Sequence, residues 1–204
     1  NALNWMEDFV TRENLNCDLI RCGRFHGAHT RRQYEQMCAT INELNEENIT
    51  AHPVEKPAMS SELGTDFYHG GLVFPDNASL HPARYHRELI RLAEARGAKL
   101  MGNCKALKIS RDRSRFVIST SKGEVVTKKL AIATNGYTSS LTPWLKRRII
   151  PIGSYIIATE PLDAEVMDRL FPTNRMITDS RKVVFYYRPS PDRTRILFGG
   201  RVSA

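Results

Sequence analysis

Apolar residues recur along this chain at spacings that change from segment to segment, and the changes mark the elements. Ala2, Met6, Phe9 and Val10 fall on one side of a helix, with Glu7, Asp8 and Arg12 on the other; this is the three-to-four-residue period of an amphipathic helix. Residues 17–22 and then 23–28 read as extended pieces, the second kinked by glycine. Thr30 followed by Gln33 forms a capping-box pattern. Tyr34, Met37, Cys38, Ile41 and Leu44 share one helical face, which predicts a helix over 31–46. A short strand is expected at 49–54, and a short helix opens at Pro57 and ends at Gly64. Residues 66–75 are extended and carry Gly70-Gly71. The cleanest helix follows: Pro82 suits the first helical position, Gly97 the position just past the end, and Tyr85, Leu89, Leu92 and Ala93 form the buried face. His81 stands at that helix start in a capping role.

Beyond that helix the period shortens to two. A strand is expected at 99–109, a polar turn at 110–114, a strand at 115–120, a turn at Lys122-Gly123 and a strand at 124–133. That order is an antiparallel hairpin placed after a helix–strand unit. Residues 141–148 form a basic connection containing Pro143, and 149–159 are β-like, with Ile150, Ile152, Ile156 and Ile157. A short helix is expected at 164–170. Residues 183–188 and 195–200 pair as a hairpin around Pro191-Asp192. No internal repeat or low-complexity segment is present.

Composition narrows the class. At 204 residues the chain can hold one large domain or two small ones. Hydrophobic residues at 41% and charged residues at 25% are ordinary for a globular protein and exclude a disordered one. No apolar run reaches the roughly 20 residues of a membrane helix, so no membrane association is expected. The first residues carry acids and no leader-like apolar stretch. The chain lacks an initiator Met and stops just after a strand, so both ends read as cuts and the chain as an interior piece of a longer protein.

The net charge of +8 raises nucleic-acid binding as a possibility. The basic residues are scattered, however, with local density only at Lys146-Arg147-Arg148 and at Arg111, Arg113 and Arg115. No aromatic-interleaved basic stripe exists, so the charge is assigned to a solvated surface and no nucleic-acid partner is expected. Cysteines stand at 17, 22, 38 and 104 with no Cys-x-x-Cys pair. They read as small thiols in a reducing cytoplasm rather than as disulfides or zinc ligands. His26 and His29 lack a carboxylate or thiol at ligand spacing, so no metal site is expected.

The most informative stretch is Leu-Ala-Ile-Ala-Thr-Asn-Gly-Tyr at 130–137. A short apolar run that halts at Asn135-Gly136 reads as a buried strand ending at a ligand crevice. Small residues there let the backbone approach a bound group. Further pieces add to it: Asp66-Phe67-Tyr68-His69-Gly70-Gly71, then Ser79-Leu80-His81-Pro82-Ala83-Arg84-Tyr85, Arg96-Gly97-Ala98-Lys99-Leu100, Ala133-Thr134-Asn135-Gly136-Tyr137, Ile157-Ala158-Thr159-Glu160-Pro161-Leu162 and Leu197-Phe198-Gly199-Gly200-Arg201. In this order they resemble the FAD-dependent amine and amino-acid oxidoreductases of the D-amino acid oxidase and glycine/sarcosine oxidase type, in particular the gamma-glutamylputrescine oxidoreductase-like branch. The likeness runs along essentially the whole chain.

The resemblance implies an α+β fold: a mixed-sheet substrate domain with helices, interrupted by part of a Rossmann-like FAD domain that carries an antiparallel hairpin. Residues 1–78 and 141–204 would build the substrate domain, and 79–140 the central part of the FAD domain. The backbone at Cys104, Lys105 and Ala106 would lie by the adenine, and Thr134, Asn135 and Gly136 by the ribose and pyrophosphate. Lys105 stands where the family usually has an apolar residue, so only a main-chain contact carries over. No Gly-x-Gly-x-x-Gly occurs anywhere in the chain, and without that loop a strong pyrophosphate site is missing. The chain alone is therefore expected to hold FAD weakly and to turn over little or not at all.

The implied reaction is oxidation of a C–N bond in a small amine or amino acid. Candidate substrate contacts are Tyr186, Tyr187, Arg201, Arg24 and His26. Tyr186 and Tyr187 alternate across one strand, so one faces a pocket and the other the opposite side; each also reads as a packed sheet aromatic. Arg201 follows a glycine pair and can fork a carboxylate, or lie free on the surface. Arg24 and His26 lie between glycines, with ordinary polar surface as the alternative. A non-enzymatic binding module that kept the substrate-domain shape is the competing reading.

Overall fold

The structure is a computed structural model; it describes residues 2–201, and the side chain of Arg201 lies outside the described residues. The described residues form two compact units: the chain up to Leu92 together with the chain from Ser154, and Ala93–Gly153 between them.

The first unit is built on one mixed sheet. Its strands are β1 (Arg24–Gly27), β2 (His52–Glu55), β3 (Gly70–Phe74), β7 (Ser154–Ala158), β8 (Met176–Asp179), β9 (Phe185–Pro189) and β10 (Ile196–Arg201). They lie in the order β2-β3-β1-β8-β9-β10-β7. Among the described residues of this sheet only β1 and β8 pair in parallel; every other pairing is antiparallel. The helices of this unit are α1 (Ala2–Arg12), α2 (Arg31–Ala39), α3 (Ile41–Glu46) and α6 (Ala164–Leu170), with a 3-10 helix at Lys56–Ser61. α4 (Pro82–Ala95) begins in the first unit and ends in the second. The second unit contains a three-stranded antiparallel sheet of β4 (Ala106–Asp112), β5 (Arg115–Thr120) and β6 (Gly123–Thr127), with the short α5 (Pro143–Lys146).

Strand alternation sorts the large sheet into two faces. One face carries Val73, Phe25, Ile177, Tyr187 and Phe198 on a single transverse row. Met59 of the 3-10 helix, Leu63, and Met167 and Phe171 at α6 cover this face. Phe25 and Met167 are wholly buried, and burying each side chain of this kind stabilises the fold by about 1.5–3 kcal/mol. On the other face α2 and α3 cover only the β2–β3 end, where Met37, Ile41 and Leu44 pack on Ala51, Leu72 and Phe74.

Local chemistry sets the element ends. Thr30 and Gln33 form the expected reciprocal capping box at α2. The expected single helix over 31–46 is two helices, because the Thr40 hydroxyl captures the Met37 carbonyl (2.8 Å) and ends the first. The α4 helix starts at Pro82 and is closed by Gly97 at φ 88°, with Ala98 N–H donating to the Ala93 carbonyl. His81 accepts a hydrogen bond from the Arg84 N–H at 3.4 Å, the expected cap. The face Tyr85, Leu89, Leu92 and Ala93 is half-buried rather than buried.

Several strands differ from the pattern. Residues 17–22 make a single bridge, Ile20 to Ser79, and one further main-chain bond, from the His81 N–H to the Cys17 carbonyl (2.8 Å), rather than a ladder. The strand expected from 99 starts at Ala106, since Asn103 adopts a left-handed backbone (φ 52°) that interrupts an extended chain. The strand expected over 124–133 stops at Thr127. Residues 128–134, the apolar approach to Asn135-Gly136, pair with no strand among the described residues, and Ile132 is exposed. The β-like run 149–159 forms a strand only over Ser154–Ala158, where β10 supplies hydrogen bonds. β8 had no counterpart in the pattern: its four residues are too few to show a period, and its place depends on β1 and β9.

Candidate active site

The half of the second face that α2 and α3 leave open runs across β1, β8, β9, β10 and β7. One row of the register places His26, Thr178, Tyr186, Gly199 and Ile156 side by side. A cavity of about 400 Å³ lies over this face, lined among others by Arg24, Thr178, Tyr186, Arg188 and Gly199.

Each polar group is positioned by a neighbour. His26 Nδ1 lies 2.8 Å from the Thr178 hydroxyl. Burial lowers the His26 pKa from 6.5; the nearby Arg24 charge adds to the shift and Asp179 opposes it. Burial and the Arg24 charge thus favour the neutral imidazole. The Tyr186 hydroxyl is hydrogen-bonded to the Ser154 hydroxyl. Its ring crosses β10 at Gly199, where an added Cβ would sit 2.2 Å from Tyr186 Cε2; only glycine lets the ring lie there. Arg24 stacks on the Phe74 ring at 4.6 Å, and burial lowers its pKa.

Tyr187 points to the covered face. Its hydroxyl lies 3.3 Å from that of Tyr68, and its ring stacks on Phe198. Burial, first of all, raises its pKa, and the Tyr68 hydrogen bond adds to this. A second cavity of about 480 Å³ opens beside it, walled by Phe67, Phe171, Phe185 and Phe198. Arg181 borders this cavity, with its charge bound to the buried Asp179 at 2.6 Å. The structure thus gathers Arg24, His26 and Tyr186 on one face and puts Tyr187 on the other. Arg201 pairs through its backbone with Ser154, and its side chain lies outside the described residues. Sequence reasoning missed Ser154, Thr178 and Arg188. Arg188 lies two residues from Tyr186, so the period of two was the available signal; Thr178 lies in the unforeseen β8.

The open face has the fold of a known family behind it. A model for FAD dependent oxidoreductases matches residues 1–204. The chain belongs to that family. It is 38% identical over 148 residues to the Rhizobium meliloti (strain 1021) protein named "Probable oxidoreductase OrdL", a match covering 72% of this chain and 34% of that one. It is 27% identical to gamma-glutamylputrescine oxidoreductase of Escherichia coli (strain K12), over 95% of this chain and 45% of that one. Among solved structures, glycine oxidase from Geobacillus kaustophilus superimposes with a TM-score of 0.76 at 16% identity, covering 97% of this chain and 52% of that one. L-Proline dehydrogenase from P. horikoshii superimposes with a TM-score of 0.77 at 13% identity, covering 96% and 52%. The chain covers between 34% and 52% of the length of these relatives. Among the described residues, no helix is long and apolar enough to cross a membrane.

FAD is the family's cofactor, and the second unit meets it only in part. Thr134, Asn135 and Gly136 are exposed, Asn135 turns the chain at φ 44°, and the backbone N–H groups of 130–136 have no protein partner among the described residues. Free donors beside small side chains suit a phosphate-bearing ligand. An added Cβ at Gly136 would meet nothing nearer than 4.0 Å, so no wall closes over these donors. At the other expected contact, the Lys105 N–H donates to the Ser121 hydroxyl and its carbonyl accepts from the Ser121 N–H. Cys104 is half-buried, Lys105 exposed and Ala106 half-buried.

Proposed function

We propose that this chain belongs to a flavoenzyme that oxidises a C–N bond of a small amine or amino acid. Residues 1–78 and 141–204 supply its substrate domain, and residues 79–140 the central part of its FAD domain. The observation that carries this reading is the open sheet face, where Tyr186, Thr178 and Arg24 line one cavity in a chain of this family, with His26 on the same face bonded to Thr178. The main chain at Thr134, Asn135 and Gly136 would hold FAD by its dinucleotide, and the bound flavin would supply the two-electron acceptor for oxidising the C–N bond to an imine that water hydrolyses.

This chain's own residues orient and protect the substrate. The Tyr186–Ser154 hydroxyl pair offers a donor and an acceptor to an amine nitrogen. His26, whose charged form burial and Arg24 disfavour, positions Thr178 on the cavity wall. Ile156, Met176 and Leu197 line the cavity with apolar surface that keeps water away from the reacting carbon. Thr134, Asn135 and Gly136 are the main-chain donors assigned to the dinucleotide. Because their segment is open and no Gly-x-Gly-x-x-Gly loop is present, FAD is held weakly by the 204-residue chain alone. The four free cysteines are consistent with a reducing cytoplasm.

The test is anaerobic mixing of the FAD-loaded full-length protein, of which this chain is a part, with a panel of amines and amino acids. At least one should bleach the visible flavin band, and Tyr186→Phe should raise KM for it. If no panel member bleaches the flavin, the enzymatic reading fails. The open dinucleotide segment would then favour a binding module that kept the substrate-domain shape.

A further inference from the structure

The open face carries a hydroxyl whose hydrogen-bonding direction is set by a titratable ring. Thr178 lines the 400 Å³ cavity, in one row with Tyr186 on the neighbouring β9. On its other side β1 brings His26, whose Nδ1 lies 2.8 Å from the Thr178 hydroxyl. That hydroxyl makes no second hydrogen bond among the described residues, so Nδ1 is the acceptor for its hydrogen. His26 Nε2 is unpartnered among the described residues without being sealed from water, so it can keep the ring proton. The neutral ring then holds its proton on Nε2 and accepts from Thr178 at Nδ1. The lone pairs of the Thr178 oxygen are left for a ligand.

Burial weighs most against charge on this ring; Arg24 on β1 adds to it, and Asp179 on β8 opposes it. β3 sets Leu72 opposite His26, and α2 and α3 bring Met37, Ile41 and Leu44 to Leu72. β9 adds the Tyr186 hydroxyl, which is bonded to Ser154. When the ring takes a second proton, Nδ1 becomes a donor. The bond to Thr178 can then persist only in the reverse direction, and the Thr178 hydrogen must turn elsewhere. We infer that Thr178 accepts a hydrogen bond from the N–H of a substrate amine while His26 is neutral, and that protonation of His26 cancels this acceptor. His26 is a positioning residue that acts through Thr178 without touching the substrate. The pair selects amines that carry N–H groups, and a cation without them gains nothing from it. The inference rests on the proposed function for its ligand.

The test uses the FAD-loaded full-length protein and two probes of equal charge and similar size, tert-butylammonium and tetramethylammonium. The first has N–H donors and the second has none. The carbon bearing nitrogen in tert-butylammonium has no hydrogen, and tetramethylammonium can form no lone pair, so neither is turned over. Their dissociation constants are measured by calorimetry from about pH 5 to about pH 8. At the alkaline end wild type should prefer tert-butylammonium about tenfold, and the preference should fall toward unity on acidification. Thr178→Val should lack the preference at every pH, and Thr178→Ser should retain it. His26→Asn, whose amide oxygen still accepts from Thr178 but which does not titrate, should keep the preference at both ends; His26→Gln replaces it if it does not fold. A wild-type preference that is constant with pH overturns the inference. So does one that falls equally in His26→Asn, one that survives in Thr178→Val, or a failure of wild type to bind either probe. Flavin bleaching by the amine panel reads the proposed function separately: a pH-dependent preference without bleaching upholds the amine site although the enzymatic reading has failed.

Discussion

Gly199→Ala tests whether the Tyr186 ring truly lies across β10. A methyl group at 199 would stand 2.2 Å from Cε2, 2.6 Å from Cζ and 2.9 Å from the hydroxyl oxygen of Tyr186. Ordinary carbon contacts are about 3.5–4.0 Å, so the ring must swing away. Swinging breaks its hydrogen bond to Ser154, a loss of about 0.5–1.5 kcal/mol. It also drives the side chain off its rotamer, at about 0.5–1.5 kcal/mol more. The sum is about 1–3 kcal/mol, the usual range for overpacking. With Tyr186→Ala in place the methyl meets no ring, and the same substitution should cost under about 0.5 kcal/mol. Urea unfolding of wild type, both single variants and the double variant gives the coupling energy directly. A Gly199→Ala cost that is the same in both backgrounds would refute the ring placement and, with it, the geometry of the proposed site.

Two further outcomes are expected. His26 should titrate below 6.5 by NMR, because burial and Arg24 disfavour its charged form; the unfolded chain then binds the extra proton first, so stability falls as pH drops below 6.5 and levels off below the folded pKa, and His26→Gln should flatten that slope. At Gly64 an added Cβ would sit 2.2 Å from the Arg169 carbonyl oxygen and 2.8 Å from Leu170 Cα. Backbone cannot rotate aside, so Gly64→Ala should destabilise by about 3 kcal/mol or more, seen as a lower thermal midpoint, and an unchanged midpoint would contradict the close approach to α6.

Much of the fold was legible because the signals are local. The Thr30–Gln33 capping box, the Pro82 start and Gly97 stop of α4, β5 at Arg115–Thr120 and the Lys122-Gly123 turn formed where the pattern put them. A cap or a tight turn involves residues a few positions apart, so short-range sequence carries it. The failures are non-local. Residues 130–133 have the apolar run of a buried strand, but a strand exists only with a partner ladder, and none of the described residues offers one. Four-residue β8 had no readable period of its own and forms because β1 and β9 flank it.

The sequence by itself determined most of the helices, the hairpin strands, the membership signature that the family comparison upholds, and the fact that Tyr186 and Tyr187 face opposite ways. Tertiary structure decided which way. Parallel pairing of β1 with β8, strands some 150 residues apart, sets Phe25 beside Ile177 and His26 beside Thr178. That register turns Tyr187 into the helix-covered core and Tyr186 toward the open cavity. A shift of one residue would exchange the two faces. No local pattern encodes such a choice, because it depends on which face Met59, Met167 and Phe171 come to bury.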